Sequence, residues 1–219
     1  MQIFTATEDE MLTYEELRKN EAIRTYISAA DDSLGALGYT EHSFGHVTKV
    51  AQCAKYILET LGYGEHDIEI VQIAAFLHDI GNMVNREEHA QSGAVMAFRI
   101  LDNLVSAIGN HDESNGVPVN PVSAALILAD KSDVRRTRVR NHDETSFDIH
   151  DRVNYSVADS RLEINPAHDT ITLSLDIDTK YSSVMDYFEI FLARMLLCKK
   201  AAAKLGLEYK LKMNEQQLI

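Results

Sequence analysis

Apolar residues recur every three or four positions through most of the chain, a spacing typical of amphipathic α-helices. Polar residues that cap helices separate these segments. Thr13 opens a capping-box sequence, and Thr40 and Asp67 each precede an apolar face. Asn120 followed by Pro121 opens another helix. The predicted helical segments cover residues 21–37, 41–61, 67–79, 86–101, 102–109 and 122–130.

Strict alternation of apolar and polar residues replaces this spacing in the last third of the chain. The predicted elements are a strand from 153 that passes a bulge within 158–161, a strand at 171–177 after a turn at Asn165-Pro166, a helix that Ser183 caps, and a strand at 207–213. We therefore predict a mainly α protein. A helical domain over residues 1–140 is followed by a small antiparallel α+β (ββαβ) subdomain over 141–219.

Charge and cysteine content narrow the class of protein. The chain has 219 residues and a net charge of −13, which favours solubility and argues against a general nucleic-acid surface. It has no long apolar span or signal peptide, so we expect no membrane partner. Cys53 and Cys198 lie far apart, without disulfide or zinc-finger spacing. We expect a cytoplasmic protein with reduced cysteines.

One predicted helix ends in an unusual combination of residues. Its last apolar residues, 74–77, are followed directly by His78, Asp79, Ile80 and Gly81. We expect Gly81 to end the helix as a left-handed C-cap. A buried carboxylate is costly unless its charge is neutralised. A divalent metal bound by both the imidazole and the carboxylate would neutralise it.

Two other helices also carry a polar residue where an apolar one is expected. His46 lies on or beside the apolar face of its helix, and Asp130 ends an apolar run. A single helical histidine is more often a core or surface side chain than a ligand, and Asp130 alone would suit a helix C-terminus. Together with His78 and Asp79 they supply two imidazoles and two carboxylates, which suit a divalent transition metal.

The order His46, His78-Asp79, Asp130 resembles the H…HD…D pattern of the HD-domain superfamily of metal-dependent phosphohydrolases. The apolar helix before His78-Asp79 and the sequence Ala129-Asp130-Lys131 are similar to the corresponding superfamily segments. The resemblance covers about 39–136. It implies a helical bundle in which these four side chains bind one metal, with Asp79 and Asp130 acting in catalysis.

Two further histidines resemble ligands of the binuclear members of that superfamily. His89 begins a His-x-x-x-Gly-Ala segment, and His111 lies where those enzymes supply another histidine. The resemblance implies that Asp79 bridges to a second metal held by His89 and His111. The alternatives are a solvent-facing His89 and a loop His111 beside Asp112 and Glu113.

Basic side chains and one more histidine close to these positions are candidates for substrate binding. They are His42, Lys131, Arg135, Arg136 and Arg138. Guanidinium groups bind phosphate through two parallel hydrogen bonds. An equal alternative is that these arginines lie in a solvated loop and pair with nearby carboxylates. Asn82 stands where the superfamily frequently has a lysine, so any role of that lysine at the substrate phosphate is in doubt.

These residues predict hydrolysis of a phosphate ester or anhydride, in a nucleotide or another small phosphorylated metabolite, by a metal-activated water. One or two divalent ions (Mn, Fe, Co, Ni, Zn or Mg) would serve as cofactors. Two alternatives stay open: a di-iron oxygenase on the same scaffold and a non-catalytic regulator that senses a nucleotide. The strand edges of the tail allow pairing with a second subunit, so a homodimer is a further expectation.

Overall fold

The structure is a computed structural model that describes residues 13–97 and 104–218. The helices of these residues are α1 (Tyr14–Leu17), α2 (Glu21–Ala36), α3 (Phe44–Thr60), α4 (Glu65–Leu77), α5 (His89–Ala97), α6 (Leu104–Gly109), α7 (Pro121–Ser132), α8 (Ile149–Ser156) and α9 (Val184–Lys204). The strands are β1 (Val157–Ile164), β2 (Thr170–Ile177), β3 (Glu208–Met213) and β4 (Gln216–Gln217). The predicted end of the segment 86–101 and the start of the segment 102–109 lie outside the described residues. None of the described helices is long and apolar enough to cross a membrane.

Three predicted helix starts are confirmed by reciprocal capping boxes. Thr13, Asn120 and Ser183 each accept a hydrogen bond from a backbone N–H in the first turn of the helix that follows. In each helix the side chain three residues later accepts a hydrogen bond from the backbone N–H of the cap. These helices are therefore defined by local sequence.

Two other predicted caps are wrong. Helix α3 begins at Phe44 and is capped by Ser43 rather than Thr40. The residues between are held out of the helix, because the Glu41 N–H donates to the Arg138 carbonyl at 2.8 Å and the His42 N–H donates to the Asp31 carboxylate at 2.7 Å. Helix α4 begins directly after Gly64, which offers no side-chain cap, so Asp67 lies in its first turn rather than before it.

The glycine after His78-Asp79 does not have the predicted left-handed conformation. Gly81 lies in a 3₁₀ turn over Ile80–Met83, and the glycines with positive φ in the described residues are Gly38, Gly62 and Gly206. A Cβ at Gly81 would overlap the backbone of His89 and Gly93 in α5. Glycine is therefore needed here because two backbone segments pass very close to each other.

The interior is organised around α4 and α7. Every residue from Ile70 to Leu77 and from Val122 to Ser132 is buried, so both helices are surrounded on all sides. Helix α3 packs against both of them, and α9 covers α7 from the other side. One continuous apolar core joins these helices to the sheet. The ends of α4 and α7, which carry the candidate ligands, are therefore deep in the protein.

A small sheet follows the helices, as predicted, but its topology is mixed. The strand order is β1-β2-β3-β4, in which β1–β2 and β3–β4 are antiparallel and β2–β3 is parallel. The parallel pair arises because α9 carries the chain back along the sheet before β3 begins. The predicted bulge is confirmed by a shift of register between Val157 and Asp159.

The first predicted strand begins too early in the sequence. Val153 and Tyr155 lie in α8, where the Asp148 side chain accepts from the Asp151 N–H and caps the helix. Their alternation with polar residues is too short to distinguish a strand from the buried side of a short helix. The strand itself starts at Val157.

Candidate metal centre

Two histidines meet where α3 passes the end of α4. His46 Nδ1 lies 2.9 Å from the Asp133 carboxylate, and His78 Nδ1 lies 2.7 Å from the Ala75 carbonyl. Because these oxygens only accept, each Nδ1 carries the proton and donates it. In the neutral tautomer each Nε2 then presents a lone pair, and the two Nε2 atoms are 3.3 Å apart.

A second histidine pair repeats this arrangement, with His89 at the start of α5 and His111 two residues after the end of α6. His89 Nδ1 donates to the Arg86 carbonyl at 3.1 Å, and His111 Nδ1 donates to the Ile108 carbonyl at 2.7 Å. Their Nε2 atoms face each other at 3.2 Å. Both side chains are buried, so the solvent-facing His89 is not found. His111 does lie in a loop beside Asp112, as the alternative had it, but its imidazole points into the interior beside the other histidines.

Asp79 lies between the two pairs. Its Oδ2 is 3.0 Å from His78 Nε2 and 3.5 Å from His46 Nε2, while its Oδ1 is 3.5 Å from His89 Nε2. Asp130, in the last turn of α7, places Oδ1 at 3.3 Å from His46 Nε2. The structure thus brings together all six side chains predicted as ligands: His46, His78, Asp79, His89, His111 and Asp130.

This donor set fits divalent cations. Facing imidazole lone pairs repel each other unless a cation or a proton lies between them. With the imidazoles in their neutral tautomers, the buried Asp79 Oδ2 accepts no hydrogen bond from the described residues, an arrangement that is costly without a positive partner. Imidazole nitrogens with carboxylate oxygens are the ligands of divalent transition metals. Among the described residues, three overlapping sets of side chains have ligand atoms close enough to share a metal ion: His46–His78–Asp79, His78–His111–Asp130 and Asp79–His89–His111.

The electrostatics of the site divide the histidines. Burial and the charge of His78 lower the pKa of His111 to about 3, and burial lowers the pKa of His89. Burial alone would lower the pKa of His78, but the carboxylates of Asp79 and Asp130 raise it to about 10. In the metal-free protein a proton on His78 therefore neutralises part of the negative charge that a bound metal cation would neutralise.

Comparison with known proteins agrees with this geometry. The HD domain family matches residues 43–153, just over half of the chain, and the match includes every candidate ligand. The chain belongs to the HD domain family. Members of this family are generally metal-dependent phosphohydrolases. The chain is also similar to the uncharacterized protein MJ1020 of Methanocaldococcus jannaschii, with 28% identity over 162 residues that cover 59% of this chain and 62% of that protein.

Two residues outside the HD motif hold the ligands in place. Asp133 is buried and accepts from His46, from Arg135 Nε at 2.6 Å and from Lys49 Nζ at 2.9 Å. It orients the imidazole ring and stabilises the tautomer that can bind a metal. Asn82, which replaces the frequent lysine of HD proteins, donates from Nδ2 to Asp79 Oδ1 at 2.9 Å. The sequence suggested Asp133 only as one of the carboxylates that pair with the arginines, and it gave Asn82 no role at the centre.

A cavity of about 550 Å³ opens above the HD ligands. Of the predicted substrate-binding residues, His42, Lys131 and Arg138 line it. Burial lowers the pKa of His42 well below its usual range, and its Nδ1 donates to the Thr40 carbonyl at 2.7 Å. Lys131 Nζ lies 2.7 Å from both Asp130 Oδ2 and Glu113 Oε2. These groups are positioned beside the ligands.

Arg135 and Arg136 do not line the cavity, in contrast to the prediction. Arg135 is committed to Asp133 through two hydrogen bonds. The Arg136 guanidinium lies over the Tyr155 ring at 5.1 Å and pairs with Asp178 at 3.5 Å. Both arginines therefore stabilise the surroundings of the site rather than facing it.

The cavity has a second wall that sequence reasoning missed entirely. Its members lie on α8, at the N-cap of α8 and on α9, and include Asp148, His150, Asn154, Ile190, Phe191 and Arg194. Asp148 and His150 are at the end of the matched HD segment, and the others follow it. Only the charge of Arg194 could have drawn attention to α9. Nothing in the local pattern places that residue near His78-Asp79, which lies far away in the sequence.

Proposed function

We propose that this protein hydrolyses a small phosphorylated substrate, a nucleotide or another phosphorylated metabolite, with two divalent cations. The observation that carries the proposal is the position of Asp79 between two histidine pairs on the floor of a cavity that also holds cationic side chains. His46, His78 and Asp130 would hold one cation, and His89 and His111 the other. Asp79 would serve both.

The bound cations would supply an activated water and offset negative charge on the phosphoryl oxygens. The protein itself supplies orientation. The Asp130 carboxylate directs Oδ1 toward the imidazoles, and its Oδ2 lies 2.7 Å from Lys131 Nζ. Lys131 thereby holds this carboxylate in the orientation in which it would orient the attacking water. His42 has its Nδ1 committed to a backbone carbonyl, so its Nε2 is left for the substrate.

The charge of the cavity supports a phosphate as substrate. Among its lining residues are six carboxylates (Asp79, Asp112, Glu113, Asp130, Asp148, Asp151) and four cationic side chains (Arg86, Lys131, Arg138, Arg194). Six negative and four positive groups leave a net charge of about −2, which two divalent cations would change to about +2. That charge complements a phosphate monoester dianion. The volume of about 550 Å³ lies in the range of small-molecule sites.

Phosphate release by the purified protein tests this proposal. The protein is stripped with a chelator and reloaded separately with Mn, Fe, Co, Ni, Zn or Mg, and each form is assayed anaerobically against nucleotides and phosphoesters. We expect hydrolysis with at least one metal and none with Asp79→Asn, whereas Asp178→Asn, a matched change outside the cavity, stays active. In a separate aerobic assay, oxygen consumption by an iron form that releases no phosphate anaerobically would favour an oxygenase. Ligand binding without turnover would favour a regulator.

A further inference from the structure

The cavity wall formed by α9 carries one positively charged side chain, Arg194, in the same cavity as the candidate metal ligands. Arg194 lies mostly buried on this helix, with its guanidinium over the Phe191 ring at 4.2 Å from the centroid. Stacking on an aromatic ring holds the planar group in one orientation. Arg194 lines the same cavity as Asp79 and Asp130, although it lies outside the matched HD segment.

The hydrogen-bonding capacity of Arg194 is largely unused. Its Nη2 donates to Glu113 Oε1 at 3.3 Å, while its buried Nε has no hydrogen-bond partner among the described residues. A buried guanidinium donor without an acceptor costs free energy. An acceptor with several oxygens, placed in the cavity, would satisfy it.

Glu113 connects Arg194 to the candidate metal centre. The same carboxylate pairs with Lys131 Nζ at 2.7 Å, and Lys131 pairs in turn with the Asp130 carboxylate. One glutamate is thus shared between two cations, which leaves Arg194 only partly neutralised. An anion entering the cavity would compete with Glu113 for Arg194.

We propose that Arg194 binds the phosphate group of the substrate, so that helix α9 supplies a specificity-determining residue of the active site. This inference rests on the proposed function and assigns to α9 a contact beyond the HD motif. Phosphate is the favoured ligand because its oxygens match the fork of a guanidinium group and lie where the candidate cations would attract them.

Binding of inorganic phosphate to the Mn-loaded, full-length protein tests the proposal by calorimetry, independently of turnover. We expect Arg194→Gln to weaken phosphate binding by about 10- to 100-fold, the loss typical of a charged hydrogen bond. Arg194→Lys should weaken it less, because the charge is kept and the fork is lost. Arg161→Gln, a matched change on the exposed sheet surface, should bind phosphate like the parent protein.

Glu113→Gln separates binding from a structural role. If Arg194 only holds Glu113 in place, both glutamine variants break the same ion pair and should weaken phosphate binding alike. If Arg194 binds phosphate, Glu113→Gln removes its competitor and should tighten binding by several-fold. Manganese content and melting temperature are measured for every variant, and Arg194→Lys replaces Arg194→Gln if the latter does not fold.

The proposal is overturned if the parent protein does not bind phosphate, if Arg194→Gln binds it as tightly as the parent, or if both glutamine variants lose affinity equally. A parallel loss of manganese in Arg194→Gln would also overturn it. Phosphoester turnover with unchanged phosphate binding in Arg194→Gln would refute this inference and leave the proposed function intact. Phosphate binding that depends on Arg194, without turnover of any phosphoester, would refute the function and leave the anion site standing.

Discussion

Replacing Asp133 with asparagine tests whether a residue outside the HD motif controls the candidate centre. The carboxylate is 2% exposed and its Oδ2 accepts from His46 Nδ1 at 2.9 Å. Its Oδ1 accepts from Arg135 Nε at 2.6 Å and lies 2.9 Å from Lys49 Nζ. Arg135 Nη2 also donates to Oδ2, at 2.9 Å. An asparagine amide must therefore point its NH₂ group either at the imidazole and Arg135 Nη2 or at Arg135 Nε and Lys49.

Both orientations weaken the histidine as a ligand. The amide oxygen is favoured at the position that faces Arg135 Nε and Lys49 Nζ, because both of these neighbours are cationic donors. The NH₂ group then faces His46 and requires Nδ1 to accept. The imidazole proton then moves to Nε2 and removes the lone pair that binds a metal. The opposite orientation replaces a charged acceptor with a neutral one. Loss of such a supporting partner typically lowers metal affinity by about 10- to 100-fold, or roughly 1.4 to 2.7 kcal/mol.

The structure confines this effect to one cation. Asp133 contacts His46, whereas the Nδ1 atoms of His89 and His111 donate to backbone carbonyls that the substitution leaves unchanged. Calorimetric titration of the metal-free protein with manganese should show one binding step weakened by that factor and the other unchanged. Asp178→Asn, which removes a carboxylate outside the cavity, serves as the control. Two unchanged binding steps in Asp133→Asn would show that the tautomer argument is incorrect.

The remaining predictions concern the bridge, the proton balance and the backbone of the site. Asp79→Asn should lose both equivalents of metal and all turnover, because both histidine pairs share this carboxylate; elemental analysis that finds full metal content would contradict it. Metal binding at pH 7 should release about one proton at the His46–His78 pair, because the pKa of His78 is raised to about 10. Metal affinity should therefore weaken about tenfold for each unit of pH decrease. Calorimetry in buffers of different ionisation enthalpy measures the proton release, and an affinity that does not change with pH would contradict the prediction. Gly81→Ala should lower the free energy of unfolding by more than about 3 kcal/mol, because the new Cβ overlaps the backbone of α5. The control Gly64→Ala places its Cβ in open space and should lower the free energy of unfolding by less than about 1 kcal/mol. Urea denaturation measures both values. Equal losses in the two glycine variants would show that the close approach of α5 is unimportant.

Local sequence was sufficient for most of the elements. The capping boxes at Thr13, Asn120 and Ser183 predicted the helix starts because each needs only residues within one turn. Local sequence was insufficient for α3. The backbone N–H groups of Glu41 and His42, in its first predicted turn, instead donate to the distant Arg138 carbonyl and to the Asp31 carboxylate. The short alternation of apolar and polar residues at Val153 and Tyr155 wrongly predicted a strand, since Asp148 caps a helix there.

Gly81 shows how a correct residue can have an incorrect explanation. A glycine after an apolar helix is typical of a left-handed cap, and the pattern contains no information about α5. The structure shows that glycine is required because the backbone of His89 and Gly93 passes directly against it. The close approach brings the second histidine pair next to Asp79.

The residues of the donor set could be identified from the amino-acid pattern alone. His46, His78, Asp79 and Asp130 stand out because each interrupts an apolar helical pattern, and burial of such groups is costly without a shared positive partner. Which charges face that centre depends on the packing of the helices and could not be read from the pattern. This packing directed Arg135 and Arg136 elsewhere and brought Asp133 and Arg194 to the site and its cavity. The physical reason is that ligand chemistry depends on side chains and their helical neighbours, whereas the partners of a charge depend on which helices pack together across the whole chain.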